Sequence, residues 1–203
     1  MESAQTWLLI GLTVAVSWFA FEKPRLLDRL VLWPPAIDRK HEYDRLVTHG
    51  FVHADWMHLF FNMFTLYFFG PLAERFYAAV AGPLVYPLFY LSALVASILP
   101  TYLRHRHDAH YRSLGASGAV AAVLFTYVLL NPWGMIGVFF IPVPAIVFAV
   151  LYLGYSVWAD RQGHGNVNHS AHFWGAAYGV AFAVVAEPRL LAVFLDSLVA
   201  PLR

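Results

Sequence analysis

Apolar residues in this 203-residue chain fall in long runs broken by short polar stretches, not at the spacing of an amphipathic surface helix. The runs predict six candidate spans, at 7–21, 56–70, 78–102, 114–130, 135–158 and 171–186. A polar, proline-containing connector runs from Glu22 to about Asp55, and a turn carrying Pro71, Glu74 and Arg75 is expected to end the second span. Pro142 and Pro144 fall inside the fifth run and predict a kink or local unwinding there. The tail, 187–203, reads as an interfacial helix or a longer terminal span. Several runs are shorter than the ~20 residues that cross a bilayer upright, so either their ends extend into the loops or the membrane thins around them. With no internal repeat or low-complexity segment, the chain reads as a single domain over 1–203.

Composition turns this pattern into a class. Hydrophobic residues make up 60% of the chain and charged ones 12%, too few to cover the surface of a soluble domain. The fold class is therefore an all-α polytopic membrane protein. No basic region precedes the run at Trp7 and no small-residue cleavage site follows, so a removable signal peptide is not expected. The absence of cysteine excludes disulfides, thiol catalysis and cysteine-ligated metals. A net charge of +1 gives no reason to expect nucleic acid as a partner.

Against this background a few polar residues stand where lipid-embedded helices should have none: His58 and Asn62 in WMHLFFNMF, Ser117 in LGASGAV, and His172 in SAHFWGAAYG. Such groups are costly at membrane depth and by default mark function. The second, fourth and sixth spans run in the same direction, and all four residues lie within about two turns of their span's start. At ~1.5 Å rise per residue they share one depth below one membrane face. His58 and Asn62, four apart, project from one helical face. One shared site costs less than several unpartnered polar burials. Small residues support close approach: Gly115 and Gly118 bracket Ser117, and Gly175 and Gly179 stand at GxxxG spacing. A histidine that takes a serine's proton must come within ~3 Å of it.

In these motifs the chain resembles the rhomboid intramembrane serine proteases. The resemblance rests on HxxxN at His58–Asn62, GxSG at Gly115–Gly118 and AHxxGxxxG at Ala171–Gly179, in that order. It implies a six-transmembrane-helix bundle in the lipid bilayer that cleaves transmembrane protein substrates, with no cofactor and no metal. Ser117 would be the nucleophile and His172 the general base and then acid. The backbone N–H of Ser117 with the side chains of His58 and Asn62 would hold the oxyanion. It also implies a multi-pass protein of a plasma or inner membrane, its termini cytoplasmic and its site opening to the extracytoplasmic side. Two positions depart from the family pattern. Ala121 stands where many members carry an aromatic that packs on the catalytic histidine, and Asp44-Arg45 stands where many have Trp-Arg.

Blander readings exist for each residue. Ser117 could bond its own helix backbone, His58 with Asn62 could clamp two helices, and His172 could be a core histidine. His49, His53 and His58, with RHRHDAH, allow a metal site to be drawn, but no glutamate lies between His49 and His53 as in HExxH. A solvated or structural role is the expectation for these histidines. Gly163 and Gly165 read as a flexible turn, and Asn166–Ser170 as a polar approach for water. Two other function classes stand beside the protease: a silent rhomboid-like protein that binds client helices, and a small transporter or metal-handling channel. Lys and Arg number ten in the connectors on the site's side and three on the other, which by the positive-inside rule places the site on the cytoplasmic face, against the family topology. A structured, charge-balanced first connector favours the family topology. Pro142 and Pro144 make the fifth span a candidate gate for lateral access.

Overall fold

The computed structural model of the protein describes residues 3–138, 140–162 and 167–199. Helix α1 (Ala4–Glu22) leads into short helices α2 (Pro24–Leu30), α3 (Pro34–Lys40) and α4 (Arg45–Thr48), closed by a 3-10 turn at His49–Phe51. Two long helices follow, α5 (Trp56–Ala81) and α6 (Val85–His105), and then α7 (Ser117–Leu130). A hairpin of β1 (Met135–Val138) and β2 (Ile141–Pro144) precedes α8 (Ala145–Gln162), α9 (His169–Ala186) and α10 (Arg189–Val199).

Helix α7 is the axis of this assembly. Gly118 to Thr126 are all buried, as are Val128 and Leu129, with α5, α6 and α9 packed around them. A helix apolar on every side has no face to offer water and belongs in a core. Its small residues set the spacing. Gly118 lies against the Ser97 side chain of α6, while Gly175 and Gly179 of α9 lie against the backbones of Gly118 and Ala122. A β-carbon at either α9 position would collide with main chain, so these two helices meet backbone to backbone. Outward faces carry exposed Trp7, Leu8, Phe60, Phe64 and Phe68, a surface suited to lipid rather than water.

Two elements differ from the sequence expectation. The second run does not end at Pro71: α5 continues through it to Ala81 and stops at Gly82, whose φ of +96° few side chains tolerate. Glu74 is no turn residue. Its buried carboxylate accepts from the Gln5 N–H (3.1 Å), the Thr6 N–H (2.8 Å) and the Thr6 hydroxyl (2.6 Å). Those amides open α1 and have no acceptor within their own helix, so α5 supplies the cap from 68 residues away.

The fifth run is the second correction, and it qualifies the all-α class. Residues 135–144 form an antiparallel hairpin with Met135 opposite Pro144 and Gly137 opposite Pro142. Prolines two apart fall on the same, non-bonded pairs of the ladder, where their missing N–H costs nothing. The helix starts only at Ala145, whose N–H bonds the Gly134 carbonyl (2.8 Å), with Ile146 bonding Pro132 (2.8 Å). By length and composition, among the described residues, Ala4–Glu22 and Val85–His105 could cross a membrane. A third span follows if α9 and α10, bent by 114°, count as one. Six spans therefore go beyond what helix length and apolarity give, and α7 rises only about 21 Å over its fourteen residues.

The first connector is folded. Arg45 is buried and donates to Glu42 (2.6 Å) and to the carbonyls of Asp28 (2.8 Å) and Val31 (2.7 Å). Arg29 pairs with Asp44 (2.8 Å) and Arg106 with Asp38 (3.1 Å), and both carboxyls are held below their ordinary range, Asp44 chiefly by its bond from Arg29 and Asp38 chiefly by its bond from Tyr102.

Candidate active site

Ser117 is the first residue of α7, and the segment before it is pinned from several directions. Leu32 and Ser113 exchange both backbone hydrogen bonds (2.9 and 3.2 Å), and the Gly115 N–H bonds the His49 carbonyl (2.9 Å). Gly115 has φ +114°, and a β-carbon there would stand 2.6 Å from Cε1 of His58. Conformation and space both demand glycine.

His53 locks the next residue. Its Nε2 accepts from the Ala116 N–H (3.4 Å), and its Nδ1 lies 2.9 Å from Ser17 Oγ, which donates to the Phe51 carbonyl (2.9 Å). An amide can only donate, so Nε2 is unprotonated and Nδ1 carries the proton. Burial holds His53 down to about 3 and His49 down to about 4, which keeps both neutral. Two of the three histidines through which a metal site can be drawn make ring hydrogen bonds: besides His53, His49 Nδ1 bonds the Arg45 carbonyl (3.1 Å).

Asp55 caps α5 by accepting from the His58 N–H (2.8 Å). One turn on, the buried Asn62 amide donates to the His58 carbonyl (2.9 Å), which leaves its second N–H free to donate elsewhere. The cap of α9 is Asn168, which accepts from the Ala171 N–H (3.0 Å) and the Thr101 hydroxyl (3.1 Å) and donates to Ser113 (3.2 Å). The start of α9 is thereby tied to the strand that leads into Ser117. The His172 ring stacks on Tyr152 of α8 (centroids 6.0 Å, planes 19° apart) and meets His169 edge-on (5.7 Å, 84°).

His58, Asn62, Ser117 and His172 line one cavity of about 1280 Å³, together with Gly115 and Gly118. Gly175 and Gly179 stand beside it in the α7–α9 contact. Among the described residues no hydrogen bond joins Ser117 to His172; they share the wall of the cavity. Gly163, Gly165 and Asn166 lie outside the described residues. A hydroxyl, an imidazole and amide and imidazole donors facing one partly apolar space form a donor set suited to acyl transfer. The sequence reading missed Tyr152, which looks like one more aromatic in an apolar run. It also missed the hydrogen-bonding roles of His53 and Asn168, for which a lone buried histidine and an N-cap asparagine were the available signals.

The Rhomboid domain family matches residues 40–189 of the chain. The chain belongs to the rhomboid family. This rhomboid chain is a membrane protein and is 30% identical over 202 residues to RHOMBOID-like protein 12, mitochondrial, of Arabidopsis thaliana, a match covering 90% of this chain and 59% of that protein. It is 34% identical over 152 residues to Rhomboid-like protein 11, chloroplastic, of the same plant, covering 67% of this chain and 50% of the relative. The rhomboid chain therefore spans between half and three-fifths of the length of these relatives.

Proposed function

We propose that the protein is an intramembrane serine endopeptidase of six transmembrane helices (α1 and α5–α9) that hydrolyses peptide bonds in or beside transmembrane segments of its substrates. The observation that carries this reading is the shared cavity, where Ser117 at the head of α7 and His172 near the head of α9 face His58 and Asn62 of α5. Ser117 Oγ attacks the scissile carbonyl while a ring nitrogen of His172 takes its proton, and the two groups close to ~3 Å as substrate binds. The acyl–enzyme forms as the amine leaves with that proton, and water then enters by the same base. The N–H of Ser117 lies at a helix start, where no intrahelical acceptor competes for it and the dipole favours an anion. With the side chains of His58 and Asn62 it holds the oxyanion, each donor contributing ~10²–10³-fold.

Substrate helices reach the cavity sideways, between α5 and α8. Met57, Phe61 and Thr65 of α5 and Phe148 of α8 line the cavity on that side, which supports the route. The site opens away from the cytoplasm in a plasma or inner membrane, following the family resemblance over the Lys and Arg count; a reporter fused to the C-terminus tests this, and an exported terminus refutes it. The dyad is tested by labelling with a fluorophosphonate and by cleavage of a membrane-anchored reporter. Wild type should label and cleave, and Ser117→Ala and His172→Ala should do neither. Label persisting in Ser117→Ala would refute the nucleophile assignment, and an inert wild type would favour a silent, client-binding protein.

A further inference from the structure

What holds the His172 ring is a question that Ala121 raises. One turn after Ser117 on α7, a methyl group lines the cavity where a larger side chain could have reached the ring. Among the described residues no hydrogen bond orients the imidazole either. Its flat face is covered from another helix, by the Tyr152 ring, nearly parallel at 6.0 Å. Stacked rings at this separation attract and, more to the point, remove rotation about χ2 as a free motion. Tyr152 is itself held on two sides: by Phe125 of α7 (5.7 Å, 48°) and, one turn earlier on α8, by Phe148 (5.6 Å, 29°). The edge-on His169 confines the imidazole from a second direction.

We infer that Tyr152 is the positioning residue for His172, an inference that rests on the dyad reading above. The small residue at 121 and the aromatic at 152 are two halves of one arrangement, since both line the cavity that His172 lines and the aromatic comes from α8 rather than α7. Because α8 also borders the lateral approach, the base is fully aligned only while α8 lies in place beside α7. A substrate helix that displaces α8 loosens the stack, and chemistry waits until α8 returns. Orientation of the base and closure of the site are one event in this chain.

Three variants test this: Tyr152→Phe, Tyr152→Leu and the relocation Tyr152→Leu with Ala121→Tyr. Readouts are kcat and KM on a membrane-anchored reporter in proteoliposomes, the rate of fluorophosphonate labelling, and thermal unfolding. Phenylalanine keeps the flat face and should retain kcat within about twofold. Leucine keeps apolar bulk without the face and should lower kcat and labelling together, about 10–100-fold, with KM little changed, because a base misplaced by ~1 Å costs up to ~10² in rate. Relocating the aromatic to α7 should restore at least part of the lost kcat. A leucine variant as fast as phenylalanine overturns the inference. So does an effect confined to KM, which would make Tyr152 a substrate contact, or a loss of kcat that merely tracks the unfolding temperature. These results leave the dyad intact so long as wild type labels at Ser117; a wild type that is unlabelled, or labelled elsewhere, removes the reading beneath.

Discussion

Replacing Gly175 by alanine adds one methyl group where, among the described glycines, a β-carbon has the least room. That methyl would meet the Gly118 carbonyl oxygen, with the carbonyl carbon at 2.8 Å and Cα at 3.0 Å. All three atoms are main chain, so no rotamer change relieves the clash and α9 must move off α7 by roughly 1.3 Å or more to bring the oxygen to ordinary contact. Overpacking of this kind costs about 1–3 kcal/mol, and the backbone on both sides places Gly175→Ala at the upper end. The same shift separates His172, one turn earlier on α9, from Ser117, the neighbour of Gly118. Cleavage should therefore fall about 10–10²-fold beyond any loss of folded protein. Gly154→Ala on α8 and Gly11→Ala on α1 are the controls, since nothing lies within 4 Å of either new methyl. They should be neutral or gain up to about 1 kcal/mol from reduced backbone freedom. Denaturant unfolding in mixed micelles and reporter cleavage read the two effects separately. Equal stability for Gly175→Ala and Gly154→Ala would refute the packing argument. A destabilised Gly175→Ala that still cleaves at the wild-type rate would break the link from packing to dyad geometry.

Other perturbations have equally definite outcomes. Burial holds His49 and His53 near 4 and 3 against an ordinary 6.5, so their contribution to stability is complete above pH 6.5 and is lost as pH falls toward those values. The slope is about 1.4 kcal/mol per pH unit for each histidine; unfolding measured from pH 7.5 to 4.5 should show it, His53→Asn should reduce it, and a flat profile would contradict the assignment. Glu74→Ala strands the Gln5 and Thr6 amides at the head of α1 and should cost about 1–3 kcal/mol in denaturant unfolding. Thr6→Val, which removes the hydroxyl but keeps the amides paired, should cost less. Asn62→Ala should cut reporter cleavage about 10²-fold while labelling remains dependent on Ser117, and an unchanged rate would remove Asn62 from the oxyanion site.

What could be read from the chain alone depended on how local the cause was. The glycines of α9 packing on α7 follow from small residues at helical spacing, a signal within one turn, whereas the run read from 114 becomes helix only at Ser117. The gathering of His58, Asn62, Ser117 and His172 around one cavity follows from parity, which needs only the number and direction of the runs. Pro71 and Glu74 misled because a proline near a carboxylate reads as a turn, while the carboxylate's partners sit 68 residues away at the head of α1. The hairpin at 135–144 was hidden inside an apolar run, although proline at every second residue fits a strand edge better than a helix. Tyr152 left no mark beyond its i, i+4 spacing from Phe148, because stacking on His172 is made by two helices meeting. Apart from the hairpin, each miss is a contact between segments distant in sequence, where local propensity is silent.

Helix α10 offers a practical consequence. It turns back across the end of the bundle with Leu190, Phe194, Ser197 and Leu198 facing inward, and the Trp133 indole N–H bonds the Ser197 carbonyl (2.9 Å). Trp133 follows the last turn of α7, so α10 is fastened at the opposite end of that helix from Ser117. A protein fused after α10 is therefore carried toward the end of α7 that lies about 20 Å from Ser117. One fusion can then report which side the terminus occupies and be assayed for cleavage in the same membranes, so topology and chemistry are read from a single preparation.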